Sequence, residues 1–394
     1  MFQFFRNFFK TKLGLAISLA FLGLIALAAC EPVQIGGVGG GTGPRINTSR
    51  PVPVALLVPK SDAGAGAVAR ALENAARLAV ADLDGVQIDL RVYDTAGNAA
   101  TAAAQAQQAV DAGAKIILGP LFGEAANAVG VQVADDNVNV LSFSNNPSIA
   151  GGNVFVLGPT FRNTADRLMG FAARQGKQSV TVVYPDNVEG QFGKGAIEAA
   201  AGANGVRVVA AEGFDFSQQG VIAAMPRIAA AARQSDAVFL TSNAAGALPL
   251  LVQLLPENGI SPDATQYIGL ARWDVPAQTL SLPGVQGGWF ALPDQTRTAN
   301  FASRYQGAYG TAPHPLAGLG FDGIAAIGAL VGAGKSDALT ATALTQSSGF
   351  QGTGGIFRLR ADGTNERALA VATVRDNKVV ILDPAPNRFG TAGF

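Results

Sequence analysis

The strongest constraint on this chain is a rhythm that begins at Val54 and runs to about residue 270. Short apolar runs alternate there with longer segments of helical period. Val54-Ala-Leu-Leu-Val58 reads as a buried strand, and Val68, Leu72, Ala76 and Val80 mark one face of a helix over about 66–83. Strands over 88–93, 115–118 and 138–143 follow, separated by helices over 99–112 and 124–135. Strands apolar on both faces need cover on both sides, so the pattern predicts an α/β fold with a parallel sheet flanked by helices. The rhythm restarts after residue 160, with helices over 162–175, 191–203, 219–232 and 245–255. Strands over 180–184, 206–210, 237–241 and 267–270 are interleaved with them. Farther on, helices over 297–309, 317–333 and 337–347 precede strands over 355–359, 368–375 and 378–382, the last two joined by an Asp376-Asn377 hairpin turn.

The block boundaries fall at Gly or Pro near 158–160, 289–292 and 349–352, which implies a chain that passes three times between two lobes. Residues 53–158 with 291–349 are expected in lobe 1, and 159–290 with 350–383 in lobe 2. Residues 384–394 are expected to form a loose tail.

The N-terminus carries an address. Arg6, Lys10 and Lys12 precede an apolar stretch from Leu13 to Ala29, which ends in Leu27-Ala28-Ala29-Cys30. Charge followed by a short apolar core reads as an export signal over 1–29 rather than a membrane span. The last four residues resemble a lipobox, which implies a diacylglycerol on the Cys30 thiol and cleavage ahead of it. The competing reading is a signal anchor with a buried cysteine. Cys30 is the sole cysteine, so no intrachain disulfide forms and stability must come from apolar cores. Residues 30–52 are Gly/Pro-rich without apolar period and read as a tether, roughly 25 Å long as a random coil. Glu31 stands where an aspartate resembles an inner-membrane retention signal in enteric bacteria. An outer-membrane anchor is therefore expected if that sorting rule applies.

Roughly 365 residues follow the signal, enough for two domains. With 28 Lys plus Arg against 28 Asp plus Glu, the chain has no electrostatic footprint for nucleic acid. Catalytic patterns are missing too. The one histidine, His314, is wedged between Pro313 and Pro315, and there is neither Gly-x-Ser-x-Gly nor Ser-x-x-Lys. One histidine and one lipidated cysteine make no zinc cluster. Gly64-Ala65-Gly66 opens a helix, but Pro59 to Ala63 separate it from the strand, so it is not a dinucleotide loop. No cofactor and no enzymatic activity are expected.

Several segments in this order resemble the type I periplasmic-binding proteins, the Leu/Ile/Val-binding group in particular. They are Val54 to Pro59, Ile117-Leu-Gly-Pro-Leu121, Val140-Leu-Ser-Phe-Ser144, Val180 to Pro185, Phe301 to Tyr309 leading to Gly320-Phe-Asp322, and Gly352-Thr-Gly-Gly-Ile-Phe357 with Asp362-Gly363. The wording is closest to lipoproteins described as penicillin-binding protein activators. Phe143-Ser-Asn-Asn146, Tyr184-Pro-Asp-Asn187 with Gly190-Gln-Phe-Gly193, and Arg272-Trp-Asp274 with Gly287-Gly-Trp-Phe290 carry that likeness. The resemblance implies two lobes with three crossovers, a cleft between them and hinge closure without catalysis. Its partner would be a peptidoglycan synthase, or an importer permease if the chain is instead a receptor for an amino acid or other small polar solute.

Ligands of open α/β sheets sit at the carboxyl ends of the strands. That rule selects Ser61 and Asp62 after the first strand, Phe122 and Gly123 after the third, and Phe143, Ser144, Asn145 and Asn146 after the fourth. In the second block it selects Tyr184, Asn187, Ser242, Asn243, Arg272 and Trp273. Ser61, Asp62, Ser242 and Asn243 could equally be helix caps, and Arg272-Trp273 a surface cation on a ring. Amino-acid receptors of the group resemble one another in a serine after the Gly-Pro segment and an Ala-Thr pair after the next strand. Here Gly123 falls near the serine position and Asn145-Asn146 replaces the pair, which argues against a standard aliphatic amino-acid site.

Overall fold

The computed structural model describes residues 43–390, all within one compact unit, Gly40–Phe394. Strands β1 (Val52–Val58), β2 (Ile88–Asp94), β3 (Ile116–Leu118), β4 (Asn139–Ser142) and β5 (Val154–Val156) form a wholly parallel sheet in the order β2-β1-β3-β4-β5. Period two along β1 explains the layering. Val54, Leu56 and Val58 point into a core shared with α1 (Gly66–Ala81) and α9 (Ala317–Gly332). Ala55 and Leu57 face α2 (Ala99–Asp111) and α3 (Gly123–Gln132). The buried face of α2 is Ala102, Ala106 and Ala109, side chains small enough for close approach to the sheet.

The second lobe is a seven-stranded sheet in the order β15-β14-β10-β9-β8-β6-β7. Its strands are β6 (Ser179–Pro185), β7 (Arg207–Phe214), β8 (Ala237–Leu240), β9 (Gln266–Gly269), β10 (Trp289–Leu292), β14 (Ala370–Arg375) and β15 (Lys378–Asp383). Strands β6 to β10 are parallel, and the C-terminal hairpin adds antiparallel to β10. Helices α4 (Phe161–Arg174) and α5 (Val188–Ala203) cover one face, and α6 (Gln218–Ala232) with α7 (Leu248–Glu257) the other. Helix α8 (Gln295–Tyr309) returns to the first lobe, where Phe301 and Tyr305 pack on Ala71 and Ala75 of α1. The short α10 (Ala341–Leu344) is all that forms of the helix expected over 337–347.

Several boundaries differ from the sequence expectation. Residues 350–367, expected to begin lobe 2, form a small antiparallel sheet of β11 (Phe350–Gly352), β12 (Gly355–Leu359) and β13 (Asn365–Arg367). Instead Phe350, Phe357 and Leu359 enter the first core beside α9. The third crossing therefore comes after Arg367, because Ala370 is the first residue committed to the second sheet. The tether was expected to reach residue 52. Ile46 is in fact buried in the first core, and its amide donates to the Ser336 carbonyl. The expected loose tail is docked as far as Phe389: Ala385 packs on the second lobe, and the Arg358 guanidinium lies 4.6 Å from the Phe389 ring centroid. Strands β5, β10, β11 and β13 are three or four residues long, too short to leave a period of their own. The leader and Cys30 lie outside the described residues.

The three crossings meet around one buried carboxylate. Asp322 of α9, 1% exposed, holds Arg367 Nη1 at 3.0 Å and accepts the Thr353 amide at 2.7 Å. Arg367 in turn donates to the Leu157 carbonyl of the first crossing, and the Asp294 amide of the second donates to Gly354. Asn365 adds two bonds from its Nδ2 to the carbonyls of Val156 and Gly158. Polar groups placed here satisfy backbone atoms that leave both sheets at once.

Candidate ligand cleft

Between the lobes lies a concavity with two connected parts, which share Phe161 and Glu189. The inner part, about 200 Å³, sits at the carboxyl ends of β6 and β8 and is lined by Asn187, Thr241, Ser242, Asn243, Phe161 and Phe216. The outer part, about 1040 Å³, runs along α4 and α5. Asn145 to Pro147 of lobe 1 and the turn between β12 and β13 form its opposite edge.

The selected residues show three kinds of placement, and Asn146, Asn187 and Asn243 combine the first two. Asn187, Ser242 and Asn243 line the inner pocket, and Asn145 and Asn146 the outer groove. Gly123 comes beside Ser144 and Asn146. A Cβ on it would stand 3.4 Å from Ser144 Oγ, so the loops after β3 and β4 converge. Phe122 is exposed at the head of α3.

A second group works as backbone support, as their positions before helices allow. Asp62 Oδ1 accepts the Gly64 and Ala65 amides, and the Ser61 amide donates to Asp94. Asn187 Oδ1 caps Gly190, Asn243 Oδ1 holds Gly246, and Asn146 Oδ1 holds Ser148. Ser144 Oγ accepts the Asn146 amide.

The third group is displaced from the cleft. Trp273 is 0% exposed, with its ring 6.1 Å from Phe290 and hard against Gly269 and Gly288, so it is core and no aromatic wall. Phe143 is buried in the first core. Arg272 is held by Asp274. Tyr184 lies at the end of β6, against Gly213 and 5.8 Å from Lys194 Nζ, and lines neither part. Apolar packing claims these rings because the adjoining glycines leave room for them.

Sequence reading missed Phe161, Phe192, Phe216 and Glu189. Phe216, 62% exposed, lies just past β7, where the rule used for the other strands would have found it. Phe161 and Phe192 sit on helices, and only the docking of lobe 1 makes a site of them.

The inner pocket is lined by no Lys or Arg, and Lys60, in the loop after β1, lines neither part of the cleft. Lys60 Nζ lies 3.0 Å from Glu73, whose own burial would raise its pKa, while Arg77 and Lys60 hold it below the usual value. Ser242 is 6% exposed, and its buried Oγ lacks a hydrogen-bond partner among the described residues. Glu189 stands exposed at the rim. Hydroxyl, amide and aromatic faces with one carboxylate suit a small polar ligand that need not be an anion. His314 Nδ1 accepts the Leu316 amide in a turn remote from this site. Among the described residues no group of His, Cys, Asp and Glu could hold a metal ion, and no helix is long and apolar enough to cross a membrane.

Known proteins with this architecture are numerous. A branched-chain amino acid ABC transporter periplasmic ligand-binding protein from Burkholderia xenovorans superposes with a TM-score of 0.65 at 19% identity, covering 84% of this chain and 96% of its own. An ABC transporter substrate-binding protein from Sphaerobacter thermophilus gives 0.64 at 18% identity, covering 86% and 98%. One from Desulfitobacterium hafniense, solved in complex with Leu, gives 0.60 at 19% identity, covering 84% and 100%. At such identities the likeness is one of fold. No curated protein matches the sequence. The family model described as periplasmic binding protein matches residues 51–378, in agreement with the two α/β lobes, the three crossings and the cleft between them. The chain belongs to the periplasmic binding protein family.

Proposed function

We propose that this chain is the extracytoplasmic solute receptor of an ABC importer, non-catalytic, closing its lobes over a small polar ligand. The observation that carries this reading is the concavity at the carboxyl ends of β6 and β8, walled by Phe161 and Phe216 and continuing into a groove whose far edge is Asn145 to Pro147 of lobe 1. The structural neighbours named as ABC transporter proteins support it. Cys30 would carry the lipid that keeps the receptor at the membrane surface, with the outer membrane the expected location if Glu31 is read by the enteric rule. Mass spectrometry of the wild type and Cys30→Ala tests that anchor.

The receptor reading is tested by the melting temperature of the full chain in lipid nanodiscs against single amino acids and aromatic acids. A ligand at a hundredfold excess over its Kd adds about 2.7 kcal/mol of stability. No shift across such a panel would count decisively against a solute receptor.

A second reading, a penicillin-binding protein activator-like regulator of peptidoglycan synthesis, is favoured by the replacement of the serine and Ala-Thr positions with Gly123 and Asn145-Asn146. Two of the residues carrying that closer likeness, Phe143 and Trp273, are core residues and offer no surface to a partner. Recovery of a cell-wall synthase with the full chain, and of no importer permease, would decide for it.

A further inference from the structure

The inner pocket is biased toward one sign of charge. Glu189 is the single charged residue that lines it, and it lines the outer part as well. Among the described residues no ion pair engages its carboxylate, because the four arginines of the outer part face other acids. Arg162 is held by Asp166, Arg167 by Asp383, Arg360 by Glu366 and Arg367 by Asp322. A ligand carboxylate in the inner pocket would meet one negative charge and no positive side chain, and burying an unpaired charge is costly. A ligand ammonium would meet its opposite.

The walls favour the same sign. Phe161 and Phe216 both line this small volume, about 200 Å³. Phe216 is largely exposed, unlike Phe143 and Trp273, which packing draws into the cores. A Cβ built on Gly246 would stand 3.5 Å from Phe216 Cε2, so the ring lies against the loop after β8. A cation within about 6 Å of a ring centroid is attracted by the negative face of the ring. Glu189 also stands in the first turn of α5, where an acid complements the helix end. That role accounts for the acid but not for the two rings that share its pocket.

The remaining polar groups are neutral donors. Asn187 and Asn243 line the pocket and turn Oδ1 to the Gly190 and Gly246 amides, which leaves each Nδ2 directed elsewhere. Neither Nδ2 donates to a described residue. An amide N–H suits a hydroxyl or carbonyl oxygen as well as a carboxylate, and it brings no charge to offset one.

We propose that the inner pocket binds a small organic cation: an amine whose second polar group is a neutral acceptor rather than a carboxylate. Its ammonium is set against Glu189 and the rings of Phe161 and Phe216, and its acceptor against Asn187 and Asn243. This rests on the receptor reading and deepens it by naming the charge class of the ligand. A free amino acid carries the right ammonium beside a carboxylate that the pocket does not match, and is expected to bind weakly.

The test is calorimetry on the full chain in lipid nanodiscs with four probes that share one side chain: leucinamide, leucine, isocaproamide and isocaproate. Leucinamide is expected to bind at least about tenfold more tightly than leucine, a difference of about 1.4 kcal/mol, with isocaproate the weakest of the four. Glu189→Gln keeps the shape of the side chain and should weaken leucinamide about fivefold, leaving isocaproamide unchanged. Phe216→Leu keeps an apolar wall without a π face and should weaken leucinamide more than isocaproamide. Both positions are exposed, so the unliganded chain should melt as the wild type does. The proposal is overturned by leucine binding as tightly as leucinamide, by isocaproate binding more tightly than isocaproamide, or by leucinamide affinity unchanged in Glu189→Gln. If leucine or an aromatic acid raises the melting temperature while leucinamide fails, the receptor reading stands and this proposal falls. If none of these compounds binds, both fall.

Discussion

Removing the Asp322 carboxylate should unfasten the hinge, and the structure sets the size of the effect. In Asp322→Ala the Thr353 amide loses its acceptor at 2.7 Å, and the largely buried Arg367 guanidinium keeps only the Leu157 carbonyl and its place 4.9 Å from the Phe357 ring centroid. Breaking a buried pair by deleting one partner costs about 3–5 kcal/mol. Because Arg367 keeps its backbone bond, the lower end, about 3 kcal/mol, is expected. Replacing both partners with apolar groups leaves no stranded charge. Asp322→Ala combined with Arg367→Met should therefore be less damaging than the sum of the two single variants, by about 1–2 kcal/mol. Urea denaturation followed by far-UV circular dichroism measures all four corners of the cycle, provided the m-values agree. Fluorescence alone will not serve, since both tryptophans, Trp273 and Trp289, lie in the second lobe. A cost below about 1 kcal/mol for Asp322→Ala, or additivity within about 0.5 kcal/mol, would refute the coupling.

Other consequences follow from single contacts. Trp273→Ala should cost about 3–5 kcal/mol of stability, because it empties a fully enclosed site beside Phe290; ligand affinity that fell with stability unaltered would contradict its place in the core. Gly190→Ala should be strongly destabilising, since the added Cβ would fall 1.9 Å from the Pro185 carbonyl oxygen; a melting temperature equal to wild type would show that the close approach of α5 to β6 is wrong. Asp236 accepts the Gln178 and Ser179 amides and the Ser179 hydroxyl, and these bonds hold its pKa below the usual carboxylate value. A depressed acid adds stability above its unfolded pKa and loses it as pH falls through the folded one. Asp236→Asn should therefore flatten the acid limb of the stability profile below about pH 4, and a carboxyl titrating at or above the ordinary value in NMR would overturn the assignment.

Much of the fold was legible along the chain because the first sheet and strands β6 to β10 of the second are parallel and covered on both faces. Every central strand then has to be an apolar run, and every covering helix has to carry an apolar stripe, as β1 and α1 do. What escaped was whatever depends on a partner distant in sequence. Strand β5 is only three residues, and β11 to β13 show no period that assigns them to a lobe; Phe350 and Phe357 join the first core only because α9 presents a matching face. The candidate site divides along the same line. Residues just past strand ends, such as Asn187, Ser242 and Asn145, could be named from the sequence, since topology alone brings strand ends to the cleft. Which of them face a ligand could not, because a ring such as Trp273 turns inward wherever glycines open space behind it. The sequence by itself determined two α/β lobes and a neutral chain with a single cysteine. Only the tertiary structure decided that Asp322 and Arg367 join the crossings and that α4 and α5 form a groove against lobe 1. Both depend on contacts between segments far apart in the chain, whose geometry no local pattern encodes.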